Sequence, residues 1–325
     1  MDILFQNNAI QYKVKSPVLL LIFNRPDTTL KVLNQLRKVQ PDRLYIAADG
    51  PRENNISDKT LCAETRAITD LIDWDCTVKK IFNEENKGCK IAVSSALDWF
   101  FNQEEEGIVL EDDCLPSISF FYFCDILLDK YRLDSRIHNI TGTNLQRGKK
   151  WGNASYYFSQ YSNIWGWASW RRVWNKYDVA LKKYSEEDAA MQLKKIFNDR
   201  FLIEEWLRIF VDLKAGKIDT WDYQLNFITF FENALCITPN INLISNIGFR
   251  EDATHTHDAA NHNSNIPAEE LEEIIHPTYF VPEKEADYNF IKKEFNPMPI
   301  SNIWVCCTDR GPCLTWKCLM VTRTR

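Results

Sequence analysis

Polar punctuation divides the first half of the chain into short apolar runs. Ser16 to Phe23 (SPVLLLIF) is continuous, as expected of a strand buried on both faces of a sheet, and Asn24-Arg25-Pro26-Asp27 interrupts it. Leu30, Leu33 and Leu36 then recur at helical spacing, with Asp27 placed to cap that helix. Arg43 to Ala48 reads as a second strand closed by Asp49-Gly50-Pro51-Arg52, and a helix follows over Asp58 to Ile72. Thr77 to Phe82 is a third strand ending at Asn83, and Asn86-Lys87-Gly88 opens a helix that runs to Phe101. Ile108 to Leu110 is a fourth strand, an aromatic-rich segment of helical length follows Pro116, and Arg136 to Thr141 is a fifth strand. Strands and helices alternating through short links predict an α/β fold with a mostly parallel, right-handed doubly wound central sheet. Each strand ends in polar residues, so Asn24-Arg25, Asp49-Gly50, Asn83 and Glu111 to Asp113 should line up along one edge of the sheet. Open α/β sheets bind their ligands at that edge.

The second half has a different texture. Tyr156 to Trp174 is crowded with aromatic side chains beside Arg171 and Arg172. Helical segments are predicted over Ser185 to Asn198 and Phe201 to Lys214, and Asp219-Thr-Trp-Asp-Tyr-Gln224 leads into an apolar helix ending near Phe231. A strand pair near Leu235 to Ile237 and Asn242 to Ile244 precedes Gly248 to His257 (GFREDATHTH), after which the chain turns polar. The expected organisation is an N-terminal extension over 1–15, one domain over 16–258 divided near residue 145, and a tail of uncertain order over 259–325.

The chemistry concentrates at Glu111-Asp112-Asp113, which follow directly on a buried-looking strand. Adjacent carboxylates repel one another and are costly to desolvate, so a dry cluster calls for a cation or bound protons. Oxygen donors suit Mg²⁺ or Mn²⁺, ions that usually keep waters and bind substrate phosphates. A solvated acidic turn is the plainer alternative, and it is the expectation for Glu104-Glu105-Glu106 just upstream. The net charge of −6 argues against nucleic-acid binding by a basic face. The opening residues lack the pattern of a secretory leader, and no apolar run approaches the ~20 residues that span a bilayer. Six of the ten cysteines are scattered singly, which fits a reducing cytosol. The other four, Cys306, Cys307, Cys313 and Cys318, crowd the end of the chain without zinc-like spacing.

An ordered set of motifs resembles the nucleotide-sugar glycosyltransferases of the GT-A fold. The set is PVLLLIFNRPD (from Pro17), YIAADGPR (from Tyr45), NKGCKIAVSSALDWFF (from Asn86), IVLEDDCLPS (from Ile108), SNIWGWASWRRVW (from Ser162) and DTWDYQ (from Asp219). It is similar to a bacterial group labelled hemolytic-protein-like and, more distantly, to the inverting N-acetylglucosaminyltransferase I family. The resemblance spans residues 16–258, not the Cys-rich end. It implies a nucleotide-sugar-binding half over 16–145 and an acceptor-side half over 146–258. Asn24 and Arg25 would contact the nucleotide, Asp49 the uracil or ribose, and Lys87-Gly88 would lie near the nucleotide at a helix N-terminus. Glu111 and Asp112 would face ribose and sugar, while Asp113, joined by His255, would hold Mn²⁺ or Mg²⁺ on the donor diphosphate. Such a cation neutralises charge as the glycosidic bond breaks.

Asp222 is the candidate base for the acceptor hydroxyl, with Asp219, Glu251 and Asp252 as competitors and a helix-start acid as the alternative role. Trp165, Trp167 and Trp221 offer flat rings to a sugar, although aromatics in such a segment also serve as core, Trp170 first among them. The implied partners are a nucleotide-diphosphate sugar, UDP first, and a glycan or lipid-linked saccharide in surface polysaccharide or glycoconjugate synthesis. Basic residues at the chain end suit a peripheral place at the inner face of a membrane. The rival is a nucleotide-sugar or glycan binding domain on the same fold without turnover. Metal-dependent phosphate-ester hydrolysis is a third reading, lacking a second acidic cluster.

Overall fold

The computed structural model describes residues 4–6, 9–249 and 263–294. A short antiparallel hairpin, β1 (Leu4–Gln6) and β2 (Ala9–Gln11), precedes the main sheet. Then β3 (Val18–Ile22), α1 (Pro26–Val39), β4 (Arg43–Ala48), α2 (Asp58–Ile68), β5 (Thr77–Phe82), α3 (Gly88–Phe101) and β6 (Glu106–Glu111) alternate as expected. The helix predicted to reach Ile72 stops at Ile68 and finishes as a 3₁₀ turn over Thr69–Leu71. The chain continues through β7 (Cys114–Pro116), α4 (Ile118–Tyr131), β8 (Ile137–Thr141), β9 (Tyr156–Ser159), β10 (Trp167–Trp170) and the short α5 (Arg171–Trp174). It ends with α6 (Glu186–Ile196), α7 (Arg200–Lys214), α8 (Asp222–Phe231), β11 (Leu235–Pro239), β12 (Ile244–Asn246) and α9 (Lys284–Glu294).

Among the described residues, eight strands form one sheet in the order β5-β4-β3-β6-β10-β8-β11-β9. The first four are parallel, as are β8 and β11; β10 runs antiparallel to both its neighbours and β9 antiparallel to β11. This is a mostly parallel α/β sheet flanked by helices. Burial explains the apolar runs: every residue of β3 and β8 is buried, whereas every residue of the edge strand β5 is exposed or half-buried. On α1, Val32, Leu33, Leu36 and Val39 turn inward; the helix starts at Pro26, whose missing N–H costs nothing there, and stops at Gln40 in the left-handed region. Chain order leaps from β3 outward to β4 and β5, then returns to β6 on the other side of β3. The crevice at this reversal is where such sheets receive ligands.

Four features differ from the sequence-based picture or add to it. The aromatic stretch from Tyr156 to Trp174 supplies β9 and β10, with β10 inserted between β6 and β8. The segments near Leu235 and Asn242 are strands but do not pair with each other: β11 joins the main sheet, while β12 pairs with β7. Residues 263–294, expected within a tail of uncertain order, pack on the domain. Glu270 accepts hydrogen bonds from the backbone N–H groups of Ile118 (3.0 Å) and Ser119 (2.8 Å), satisfying the start of α4. Asp287 on α9 accepts from the Ser159 hydroxyl at 2.6 Å, and Pro282 bridges to Phe158. Glu104 and Glu106 are likewise not a solvated turn: Tyr45 donates to Glu104 at 2.8 Å and Arg132 to Glu106 at 2.7 Å. Among the described residues no helix is long and apolar enough to cross a membrane.

Candidate functional site

A cleft of about 430 Å³ opens at the C-terminal ends of β3, β4 and β6, and Arg25, Asp49, Gly88, Trp165, Trp221 and Asp222 lie on its walls with the three carboxylates Glu111, Asp112 and Asp113. Register accounts for much of this. Glu111 ends β6 opposite Leu21, so the acidic residues emerge beside the Phe23–Arg25 loop. Because β10 runs antiparallel with Trp167 opposite Val109, stepping back two residues brings Trp165 level with Glu111. The β7–β12 pair then returns the chain, and the Ile247 N–H donates to the Asp113 carbonyl at 2.9 Å.

The carboxylates differ in their partners. Asp112 is buried and accepts from the Phe23 N–H at 2.9 Å, tying the end of β6 to the end of β3. Asp113 is buried and pairs with the Arg25 guanidinium, which also lies 3.8 Å from Asp112. Glu111 is partly exposed as a residue, but its Oε1 is hidden from solvent and has no hydrogen-bond partner among the described residues. Burial, then the negative charges of Asp113, Asp112 and Asp222, push its carboxyl up to about 8. Acidic groups also surround Cys89, near the start of α3, where burial first and then Glu111, Asp222, Asp219 and Asp49 push the thiol up to about 12. The cleft is therefore a region of surplus negative charge.

Two glycines shape it. Gly88 has φ +77°, and a Cβ there would stand 3.0 Å from Asp219 Oδ2. Gly248, unassigned by the sequence, packs its backbone against the ion pair; a Cβ would overlap the Asp113 carboxylate and lie 2.7 Å from Arg25 Nη1. Gly248→Ala should therefore displace Asp113 or Arg25 and cost about 1–3 kcal/mol in a urea melt, as overpacking does elsewhere. An unchanged midpoint would show that the backbone yields freely there.

The other assigned residues divide plainly. Asp49 lines the cleft, but its carboxylate already accepts from the Gly50 and Lys87 N–H groups and from the amides of Asn83 (3.1 Å) and Asn86 (2.9 Å). Its evident work is holding the loop that precedes α3. Lys87 contributes its backbone to that arrangement, and its side chain is exposed and off the cleft wall. Asn24 does not line the cleft; its amide donates to Asp58 at 2.9 Å. Trp165 lines the cleft and packs edge-on against Phe249. Trp167 is 1% exposed, is absent from the cleft wall and stacks on Trp221 at 5.7 Å, so it belongs to the core, as Trp170 does. Trp221 is itself buried and forms the cleft floor above Trp167. Asp222 is the acid of the first turn of α8, the alternative role expected for it, and accepts from the Thr220 hydroxyl; the cap residue is Trp221. His255, Glu251 and Asp252 lie outside the described residues.

The donor set is all oxygen, one carboxylate oxygen has no partner among the described residues, and the Arg25 guanidinium faces two of the three carboxylates. That chemistry fits a hard divalent cation on Glu111 and Asp113. No three His, Cys, Asp or Glu side chains form a ready-made metal cage among the described residues, and a cation on Asp113 would compete with Arg25.

No family model matches the chain, and no similar curated protein is found. Solved structures align with low similarity. UDP-glucose pyrophosphorylase complexed with UDP-glucose is 10% identical with a TM-score of 0.35, over 69% of this chain and 90% of that one. The 4-diphosphocytidyl-2C-methyl-D-erythritol synthase of Anaerococcus prevotii is 8% identical with a TM-score of 0.33, over 62% and 96%. Mouse xyloside xylosyltransferase 1 in its apo form is 9% identical with a TM-score of 0.32, over 66% and 81%.

Proposed function

We propose that the protein is a glycosyltransferase that moves a sugar from a nucleotide-diphosphate donor, UDP first, to a hydroxyl of a glycan or lipid-linked saccharide, with inversion. The observation that carries this proposal is the gathering of Glu111, Asp112 and Asp113 in a cleft of about 430 Å³ where the strand order reverses. That volume lies within the range of small-molecule sites. Glu111 and Asp113 would hold Mn²⁺ or Mg²⁺, whose chemistry is to neutralise the negative charge that grows on a departing diphosphate. Asp222 would take the acceptor proton, oriented by the Thr220 hydroxyl. Trp165 would offer an aromatic ring to a saccharide.

Calorimetric titration of UDP, GDP and CMP with and without Mn²⁺ tests this. UDP binding that requires Mn²⁺ and falls at least about tenfold in Asp113→Asn is the expected result. Absence of nucleotide binding under every condition would overturn the proposal. Tight UDP-sugar binding without transfer to any saccharide would favour a binding domain instead.

A further inference from the structure

The cleft carries a second arginine that the sequence did not single out. Arg52, which closes the Asp49-Gly50-Pro51-Arg52 turn, lines the wall, and its guanidinium lies over the Phe23 ring at 5.4 Å. It is anchored by Asp58, whose side chain is wholly buried while that of Arg52 is 39% exposed. Asp58 accepts from Arg52 Nε at 2.6 Å, Arg52 Nη2 at 3.0 Å, the Arg52 N–H at 3.2 Å and the Asn24 amide at 2.9 Å. Burial alone would push the Asp58 carboxyl up, but the hydrogen bonds from Arg52 and Asn24 outweigh it and hold it below the usual carboxylate range. Arg52 Nη1 has no hydrogen-bond partner among the described residues. Arg25, the other guanidinium on the wall, is 12% exposed and faces two carboxylates. Arg52 is thus the better presented of the two donors.

The carboxylates follow β6, and the Arg52 turn follows β4, two strands away along the sheet edge. At about 4.8 Å per strand the two loops leave the sheet roughly 10 Å apart, a span that a nucleotide can bridge with its phosphates at one end and its base at the other. Asp49, expected at the uracil or ribose, already accepts from two backbone N–H groups and two amides.

We propose that Arg52 donates to a carbonyl oxygen of the nucleotide base, and that buried Asp58 is the positioning residue that fixes Arg52 and the Asn24 loop for that contact. This rests on a nucleotide occupying the cleft. It assigns base selection to a donor, which favours bases with carbonyl oxygens over adenine.

Calorimetry with UDP, uridine, ADP and pyrophosphate separates the possibilities, using wild type, Arg52→Ala, Asp58→Asn and the double variant. Arg52→Ala strands the buried Asp58 carboxylate, so a thermal melt checks that each variant is folded, and the double variant, which removes both charges, keeps the test open should the single variant unfold. UDP and uridine affinities should each fall about tenfold in Arg52→Ala while pyrophosphate binding is unchanged. Asp58→Asn should show the same loss, and the double variant no further loss, because the two residues act as one unit. Arg52→Lys should recover only part of it. Full uridine affinity in Arg52→Ala, or a loss confined to pyrophosphate, would overturn the assignment while leaving a nucleotide site intact. No UDP binding by wild type would remove the nucleotide reading and this inference with it.

Discussion

Arg25→Met should lower the unfolding free energy by about 3–5 kcal/mol in metal-free buffer near neutral pH. The guanidinium and the Asp112 and Asp113 side chains are each only 9–12% exposed, so methionine would keep the apolar stem but leave carboxylates without their cation in a poorly solvated place. Burial opposes the charge on Arg25, yet Asp112 and Asp113 outweigh it and hold the group more firmly protonated than an ordinary arginine. Adding Asp113→Asn to the same chain should restore part of the loss, since the neighbours are coupled. Urea unfolding of the two variants checks this. A single-variant loss below about 1 kcal/mol would class the pair with surface ion pairs.

Glu111→Gln should have the opposite sign, and only at high pH. The Glu111 carboxyl moves from an ordinary 4.5 up to about 8 in the fold, so the folded state holds its proton more tightly than the unfolded chain. Stability from that proton is complete below pH 4.5 and drains away as pH rises to about 8. Glutamine mimics the protonated form at every pH. The variant should therefore match wild type near pH 4 and exceed it above pH 8 by on the order of 3 kcal/mol, allowing for the residue's partial exposure. Urea melts across that range with a chelator present would show the divergence. Parallel curves would mean that Glu111 is relieved of its neighbours' charge some other way.

Both predictions concern residues that were legible in the sequence, because their placement follows from short-range pattern. Val18 to Ile22 and Ile108 to Leu110 are unbroken apolar runs, and the polar residues that end them must fall on one edge of a parallel sheet. What pattern could not show is pairing at a distance. Trp167 to Trp170 is buried on both faces, so no alternation marked it as a strand, and its partners lie about sixty residues earlier and thirty earlier. The strands near Leu235 and Asn242 are neighbours in sequence but take partners elsewhere. Asp58 looked like an ordinary acid at a helix start; only the return of Arg52 and Asn24 onto it turns it into a buried anchor. Gly248 was one letter in GFRED until the chain folded back over Asp113.

The insertion of β10 between β6 and β8 carries a consequence for how the molecule is made. β6 and β8 are synthesised first but never touch as sheet neighbours; the strand that joins them emerges about thirty residues after β8. Until then the parallel half ends at β6 with a bare row of backbone donors and acceptors, the kind of edge on which nascent chains aggregate. Joining the halves is a late, long-range closure, which slows folding. The carboxylates at the end of β6 meet their Trp165 wall only when that closure is complete, so assembly of the cleft reports on the joining of the two halves of the sheet.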